Sequence, residues 1–213
     1  PKAANSINTF YSESGVDALL TGAYSILDGH YWNDWAFGMW GGSVTNWVWG
    51  SVASDDAYKG SISSDQQPIN DIEQYTVTPT NEYLDSKWRM MYEGISRCNT
   101  ILKVTSEVTE EQVSAEKKAW FEAQTKVLRA HYYFELTRVF GKVPWVDEKT
   151  ESPELVKNDH AVFTEIETDL KAAIPNLKNR ESQVGRITKF AAEAYLAKVY
   201  LFEKKYTDAK PLL

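Results

Sequence analysis

"TKFAAEAYLAKVYLFEKKYTDA", residues 188–209, decides the fold, because its spacing is that of two helices that meet at small side chains. A leucine and the small residue Ala197 precede Tyr200 in the first half, and Tyr206 and Ala209 open the second half. This order is the tetratricopeptide layout. The small residue matters because a larger side chain at the crossing would push the two backbones apart. The stretch therefore predicts a pair of antiparallel helices.

A second, less regular copy of this stretch lies earlier in the chain. "TKVLRAHYYFELTRVFG", residues 125–141, aligns with residues 188–204 at an offset of 63 residues, the length of about two helix pairs. Each pair in such an array buries its apolar face against its neighbours, so the array needs a cap. The chain ends early in the helix that should pair with the fifth, and we expect it to be a piece of a longer protein. The predicted fold is all-α, with antiparallel helix pairs stacked as a tetratricopeptide-like solenoid.

Apolar stripes at helical spacing also place the other helices. The predicted helices cover residues 14–28, about Asn81 to Val104, the capping box Thr109–Gln112 to about Phe140, Phe163 to Ile174, and about Thr188 to Glu203. Gly141 and Pro144 stop the third of them. Residues 30–78 show no sustained period and indicate a long loop, with a short helix after Ser54. We expect one helical domain over residues 1–213, with residues 30–78 as a loop excursion within it.

Composition and motifs exclude several classes of function. The net charge is −7 and there is no basic run, so a nucleic-acid partner is not expected. No run of 18 apolar residues exists, and residues 1–15 hold no signal-peptide core. His30, His131 and His160 are scattered and Cys98 is the single cysteine, so neither a metal site nor a disulfide is predicted. Common catalytic and nucleotide-binding motifs are absent from the sequence, and no cofactor is expected.

The tryptophans are concentrated between His30 and Gly50, which contains five of the eight: Trp32, Trp35, Trp40, Trp47 and Trp49. One interpretation is a sugar platform, in which the apolar face of a pyranose stacks on an indole. The other is that these indoles anchor a long loop by packing. Trp47 and Trp49 would face the same side of an extended segment, beside Asn46. We expect Trp32, Trp35 and Trp40 mainly to hold the loop in place.

For several other side chains, a functional role and a purely structural role are both consistent with the sequence. Asp55 and Asp56 are paired carboxylates, as in a glycosidase, but adjacent residues diverge, and Ser54 before them is typical of a helix N-terminus. Arg129 is expected to be ion-paired inside the helix stack rather than catalytic. The residues expected in the core are Trp88, Trp120 and Cys98.

Several longer stretches together resemble one known family. In chain order they are "WRMMYEGISRCNTILK", "LRAHYYFELTRVFGKVPWV", "FTEIETDLKAAIPNL" and "GRITKFAAEAYLAKVYLFEKKYTDAK". "LLTGAYSIL" near the start and "ASDDAY" at 53–58 are similar to lesser signatures of the same family. The sequence resembles the SusD/RagB family of nutrient-binding lipoproteins over nearly all of its length.

The resemblance implies a location and partners that composition and spacing do not. Members are surface-exposed outer-membrane lipoproteins of Bacteroidota, built on tetratricopeptide-like helix pairs. They are held by an N-terminal lipid anchor absent from this chain, and they deliver glycans or peptides to a SusC-like TonB-dependent transporter. The sequence departs from the family pattern at Gln124, Thr125 and Val127. Members are also more than twice as long, and their C-terminal half usually completes the ligand site.

The expected function is therefore non-catalytic capture of an oligosaccharide at the cell surface. The candidate ligand-binding residues are Trp47, Trp49, Asn46, Asp55, Asp56 and Tyr58. A second hypothesis is a tetratricopeptide adaptor that binds a peptide or a protein, which residues 196–209 alone support. A third, a glycosidase, would need two carboxylates on facing elements.

Overall fold

The structure is a computed structural model, and it describes residues 7–28 and 47–213. Its α-helices are α1 Glu13–Tyr24, α2 Gln67–Glu73, α3 Glu82–Glu107, α4 Ala115–Phe140, α5 Phe163–Ala173, α6 Lys189–Phe202 and α7 Tyr206–Ala209. A π-helical turn covers Trp47–Val52, and 3₁₀ turns cover Ile7–Phe10, Ser25–Asp28, Pro153–Leu155, Ile174–Asn176 and Lys210–Leu212. Every regular element in these two ranges is helical, which confirms the all-α prediction.

The chain separates into two compact units. The helix-pair unit combines the described residues up to Tyr24 with Gly94–Leu213, and the Trp-turn unit holds the described residues from Ser25 to Glu93. The division falls within the long helix α3. None of the helices described is long and apolar enough to cross a membrane.

Consecutive helices of the helix-pair unit pack on one another, α4 on α5, α5 on α6 and α6 on α7. The residues that predicted this arrangement are buried: Leu196, Ala197, Tyr200 and Ala209. Thr188 caps α6, because its hydroxyl accepts the backbone N–H of Ala191 at 3.3 Å. The predicted helix pair is therefore confirmed, and its small residues Ala197 and Ala209 are buried.

One buried arginine joins several segments of the helix-pair unit. Arg129 donates through Nε and Nη2 to the two carboxylate oxygens of Asp169, at 2.7 and 2.8 Å. Its Nη1 donates to Glu148 at 2.6 Å and to Asn99 at 2.9 Å. The guanidinium also lies over the ring of Trp145, 5.2 Å from its centre. The structural interpretation of Arg129 is thus confirmed.

Two local predictions about helices are wrong. Thr109–Gln112 forms an isolated turn, in which the Thr109 N–H donates to the Gln112 side chain at 2.9 Å. Helix α4 begins later, because the Ser114 hydroxyl accepts the N–H of Lys117.

The predicted loop at 30–78 contains α2, whose Ile69 and Ile72 are buried. A helix of seven residues with only two buried apolar side chains is too short for a helical period to be recognised in the sequence.

Among the residues predicted to be core, Cys98 is fully buried, and burial raises the pKa of its thiol. Trp88 and Trp120 are only partly buried. Trp88 stacks on Tyr92 with ring centres 4.8 Å apart. Trp120 lies in a surface cleft, so the prediction of a core tryptophan at this position is wrong.

Candidate functional site

The π-helical turn Trp47–Val52, here called the Trp turn, is anchored by its two valines. Val48 and Val52 are 2% and 0% exposed and pack with Ile69, Ile72 and Tyr83. The backbone N–H of Ala53 donates to the Val48 carbonyl at 3.1 Å, the wide i to i+5 spacing of a π-helix. Burial of these apolar side chains is what stabilises the turn.

Trp47 and Trp49 flank the buried Val48 on either side in sequence. Both indoles are partly buried and pack against the valine core of the Trp turn. The prediction of an extended segment with both rings facing the same side is wrong, because in a helical turn residues two apart project in different directions. Each indole packs against the valine core with part of its surface and keeps another part exposed.

Asp55 and Asp56 lie in an exposed turn rather than at the start of a helix. The Ser54 hydroxyl donates to the Ser51 carbonyl at 3.1 Å and accepts the N–H of Asp56 at 3.2 Å. The predicted short helix after Ser54 is absent from this described stretch, since the serine bonds stabilise a local turn instead. The two carboxylates are adjacent in one turn, not on facing elements as glycoside hydrolysis requires.

Two tyrosines next to the Trp turn are largely exposed. Tyr58, a candidate from the sequence, is 87% exposed, and Tyr75, which was not predicted, is 75% exposed. The Tyr75 hydroxyl donates to the carbonyl of Ala53 at 2.8 Å, which ties its ring to the end of the Trp turn. The backbone N–H of Lys59 donates to Glu73, so Tyr58 and Tyr75 both lie at the C-terminal end of α2.

The backbone of Tyr75 is left-handed, with φ of +55°. It follows the C-cap residue of α2, and the next N–H, of Thr76, donates back to the Asp71 carbonyl at 2.9 Å. This is the helix-ending position that glycine usually occupies, because a side chain there is strained. Strained residues cluster at functional sites, so the exposed ring and left-handed backbone make Tyr75 a candidate for the site.

The loop before α2 is fixed by side chains that bond to backbone. The ammonium of Lys59 donates to the carbonyls of Ile62, at 2.9 Å, and Asp65. Asn70 donates to the Ser63 carbonyl at 2.7 Å. Burial raises the pKa of Tyr83 to about 12, so its hydroxyl stays neutral and donates to Gln66 at 2.6 Å. These contacts make the surface around the tyrosines preorganised.

Five of the predicted site residues lie in the same unit of the structure. Trp47, Trp49, Asp55, Asp56 and Tyr58 all lie in the Trp-turn unit and, with Tyr75, form what we call the Trp-turn surface. The predicted residues that lie outside the described ranges are Asn46, Trp32, Trp35, Trp40 and His30. Within the part of the chain that is described, no group of three or more His, Cys, Asp or Glu is placed to hold a metal ion.

The chemistry of the Trp-turn surface suits a polyhydroxylated ligand. Aromatic rings stack on the apolar faces of sugar rings, at about 0.5–1.5 kcal/mol per contact beyond the area buried. The exposed carboxylates of Asp55 and Asp56 can accept hydrogen bonds from sugar hydroxyls. Nothing in the sequence marked Tyr75, although a helix that ends in "EQYT" without glycine is a weak signal of a strained cap.

Comparisons with known proteins agree on one family. A family model for SusD-like proteins, described as "Starch-binding associating with outer membrane", matches residues 5–201. A SusD-like protein of Bacteroides ovatus is 31% identical over 134 residues, which are 60% of this chain and 24% of that protein. The matched part of the chain thus covers about a quarter of that relative's length.

Solved structures share the fold. Surface glycan-binding protein A from Bacteroides uniformis has a TM-score of 0.79 and 25% identity, over 94% of this chain and 44% of that one. A SusD-like carbohydrate binding protein from Bacteroides fragilis has a TM-score of 0.74 and 24% identity, over 96% of this chain and 40% of that one. In both comparisons, this chain covers less than half of the solved chain.

Proposed function

The chain belongs to the SusD-like family, and from this premise we propose that it is a non-catalytic glycan-capture module of the bacterial cell surface. The observation that carries the proposal is the Trp-turn surface, in which the partly buried Trp47 and Trp49, the exposed Tyr58 and Tyr75 and the exposed Asp55 and Asp56 belong to one unit of the chain. Two or three stacking contacts with some hydrogen bonds correspond to roughly micromolar to millimolar affinity. A protein that captures a nutrient and then releases it needs an affinity in this range.

The proposed ligand-binding residues are Trp47, Trp49, Asn46, Asp55, Asp56 and Tyr58, together with Tyr75. The tyrosines give the cleanest test, because their rings are exposed and can be removed without opening the valine core. Tyr58→Ala and Tyr75→Ala should each weaken binding by about 2- to 12-fold, the loss of one stacking contact. Tyr206→Ala is the matched control, since Tyr206 is also an exposed tyrosine, 62%, but lies in the helix-pair unit.

The measurement is calorimetric titration with maltoheptaose, which the family description suggests, and with xylohexaose and laminarihexaose as alternatives. Tyr75→Phe separates the ring from the hydroxyl and should bind almost as well as the parent chain. If a glycan binds and neither tyrosine variant changes its affinity, this assignment of the site is wrong. If none of the three glycans binds, the capture function itself is rejected for these ligands.

The proposal extends to the fate of the ligand. We infer that the whole protein is a lipoprotein of the outer membrane and delivers its glycan to a SusC-like TonB-dependent transporter. The family description, which associates members with the outer membrane, supports this extension. Affinity purification of the tagged full-length protein from its own outer membranes should recover such a transporter. Recovery of the protein alone, from intact membranes and in mild detergent, would count against delivery.

A further inference from the structure

Trp120 lines a cleft of about 580 Å³ on the helix-pair unit. The cleft is formed by the first turns of α1 and α4 and by the segment that precedes α6. Sites for small molecules have volumes of about 300–1,000 Å³, so this cleft is of suitable size. It is distinct from the Trp-turn surface, because all of its lining residues belong to the helix-pair unit.

The indole of Trp120 is held in one orientation by its surroundings. Its Nε1–H donates to Glu181 at 2.9 Å, across 61 positions of sequence. Phe121 packs edge-on against it, with ring centres 5.2 Å apart. The Lys117 ammonium lies 5.6 Å from the ring centre, and its side chain is 48% exposed, so an incoming ligand can displace it.

An arginine whose side chain is largely covered forms the next wall of the cleft. The Arg186 side chain is 10% exposed and donates to Asp17 at 2.6 Å and to Gln183 at 2.9 Å. Its guanidinium carbon is 5.3 Å from the ring centre of Tyr24 and 5.7 Å from that of Trp120. Three separate segments thus fix the cation and the indole, and a fixed site loses little entropy on binding.

The charges of the cleft indicate what kind of ligand it can take. Its cations are paired with its acids, Lys117 with Glu13 at 2.9 Å, Arg186 with Asp17, and Lys178 with Glu116 at 3.6 Å. Glu181 is a fourth carboxylate of the lining against these three cations, so an anion is not favoured, and no three His, Cys, Asp or Glu side chains in the described ranges are placed to hold a metal ion. The paired carboxylates, the Gln183 amide and two serine hydroxyls offer many hydrogen-bond donors and acceptors beside a flat apolar ring.

We propose that this Trp120 cleft binds a short segment of a neutral oligosaccharide, with the indole as the stacking wall and Asp17, Glu181 and Gln183 as hydrogen-bond partners. The proposal rests on the proposed function, glycan capture, and adds a second contact site for the same class of ligand. A pyranose stacks on the Trp120 ring where Lys117 now lies. Its hydroxyls meet the carboxylates and the amide at the rim.

The experiment is an NMR titration of the ¹⁵N-labelled chain, in which the indole Nε1–H signals of the eight tryptophans are followed separately. The Trp120 signal is identified with Trp120→Phe and confirmed by through-bond correlation in the parent chain. The probes are maltoheptaose, xylohexaose and laminarihexaose, with tetra-alanine as a peptide probe. We expect the Trp120 signal to shift along a saturable curve with at least one oligosaccharide.

Rim variants test the assignment without touching the indole. Gln183→Ala should weaken the Trp120 binding curve by about 2- to 12-fold, the loss of one neutral hydrogen bond. If Gln183→Ala disturbs Arg186, Ser182→Ala serves as a second variant, because Ser182 also lines the cleft and is exposed. Tyr206→Ala is the control and should leave the curve unchanged.

The outcomes separate this inference from the proposed function. If the Trp47 and Trp49 signals shift with an oligosaccharide and the Trp120 signal does not, the cleft is rejected and glycan capture stands. If no tryptophan signal responds to any oligosaccharide, both are rejected. If only tetra-alanine shifts the Trp120 signal, the carbohydrate assignment of the cleft is overturned.

Discussion

The two units stabilise their chains in different ways. The helix-pair unit uses long helices that pack side by side, with α4 alone spanning 26 residues. The described part of the Trp-turn unit has one seven-residue helix, a π-helical turn, the 3₁₀ turn Ser25–Asp28 and the first part of α3. Its described loops are fixed by side chains bonded to backbone carbonyls. Regular helices satisfy their own backbone groups, whereas loops need side chains or solvent to do so.

The difference extends to backbone strain. Four non-glycine residues in the described ranges have positive φ, and three of them, Ser61, Gln66 and Tyr75, belong to the Trp-turn unit. Left-handed backbone costs a non-glycine residue about 1–2 kcal/mol. In the described residues, backbone strain is thus concentrated in the Trp-turn unit, and one of its strained residues, Tyr75, belongs to the Trp-turn surface.

The largest effect should come from breaking the arginine network of the helix-pair unit. Arg129→Met leaves the carboxylates of Asp169 and Glu148 without their cation, and Asp169 is only 7% exposed at its side chain. An uncompensated buried charge costs about 3–5 kcal/mol of unfolding free energy. Urea unfolding followed by circular dichroism measures this loss.

The matched control for that variant lies in the Trp-turn unit. Arg89→Met breaks an i,i+4 pair with Asp85 whose side chains are 71% and 56% exposed. It should change the unfolding free energy by about 0.5 kcal/mol or less. If Arg129→Met and Arg89→Met lowered the unfolding free energy equally, the buried network would contribute no more to stability than an exposed ion pair.

A second comparison uses two glycines of the helix-pair unit. A Cβ at Gly94 would approach the ring of Tyr132 to 2.6 Å, and that buried ring is fixed by a 2.7 Å bond from its hydroxyl to the Ala23 carbonyl. Gly94→Ala should therefore lower the unfolding free energy by about 1–3 kcal/mol. A Cβ at Gly22 meets no described atom within 4 Å, so Gly22→Ala should stabilise by about 0.5–1 kcal/mol. Thermal unfolding of both variants checks the opposite signs, and a stable Gly94→Ala protein would contradict the close packing of Tyr132.

Much of the helix-pair unit could be predicted from the sequence because its helices are long. A stripe such as the one through Ile95, Cys98 and Leu102 repeats often enough to be recognised, and all three residues are buried. Caps were harder to predict, since Thr109 and Ser114 are both good N-cap residues and tertiary packing decides between them. The exposure of Trp120 could not be predicted either. A residue on an apolar stripe of a helix has the same spacing whether or not another segment of the chain covers it.

The Trp-turn surface was harder to predict than the helices. The sequence indicates an unusual concentration of indoles, but the π-helical turn depends on Val48 and Val52 packing against α2, which lies about fifteen residues later in the chain. Tyr75 owes its position to a strained helix end and to a hydroxyl bond to Ala53, neither of which local propensity reveals. The ligand-binding roles of Trp47, Trp49, Asn46, Asp55, Asp56 and Tyr58 stay predictions.

The strained backbone at Tyr75 predicts that glycine is more stable than alanine at this position, which is the opposite of the prediction for Gly22. In a regular helix alanine is more stable than glycine, but at a left-handed position only glycine is free of strain. Tyr75→Gly should therefore be more stable than Tyr75→Ala by about 1 kcal/mol. Both variants should lose the stacking contact and bind glycan equally weakly. A more stable alanine variant would mean that the left-handed conformation is not retained at this position.

The smallest effect should be a pH dependence at the surface of the helix-pair unit. His160 Nδ1 lies 2.7 Å from Asp159 and its Nε2 2.9 Å from Glu165, and these hydrogen-bonded carboxylates, Asp159 first, raise the pKa of the imidazole. The stabilisation is fully present below the unfolded pKa of about 6.5 and is lost as the pH rises through the higher folded pKa.

His160→Gln removes this charge and tests the sign. The parent chain should exceed the variant in thermal stability at pH 5.5, and the difference should shrink by pH 8.5 and in high salt, because the pairs are exposed. The difference between the parent chain and His160→Gln isolates this residue from the other two histidines, His30 and His131, which both proteins share. A difference that grew with pH would mean that neutral His160, rather than its charged form, stabilises the start of α5.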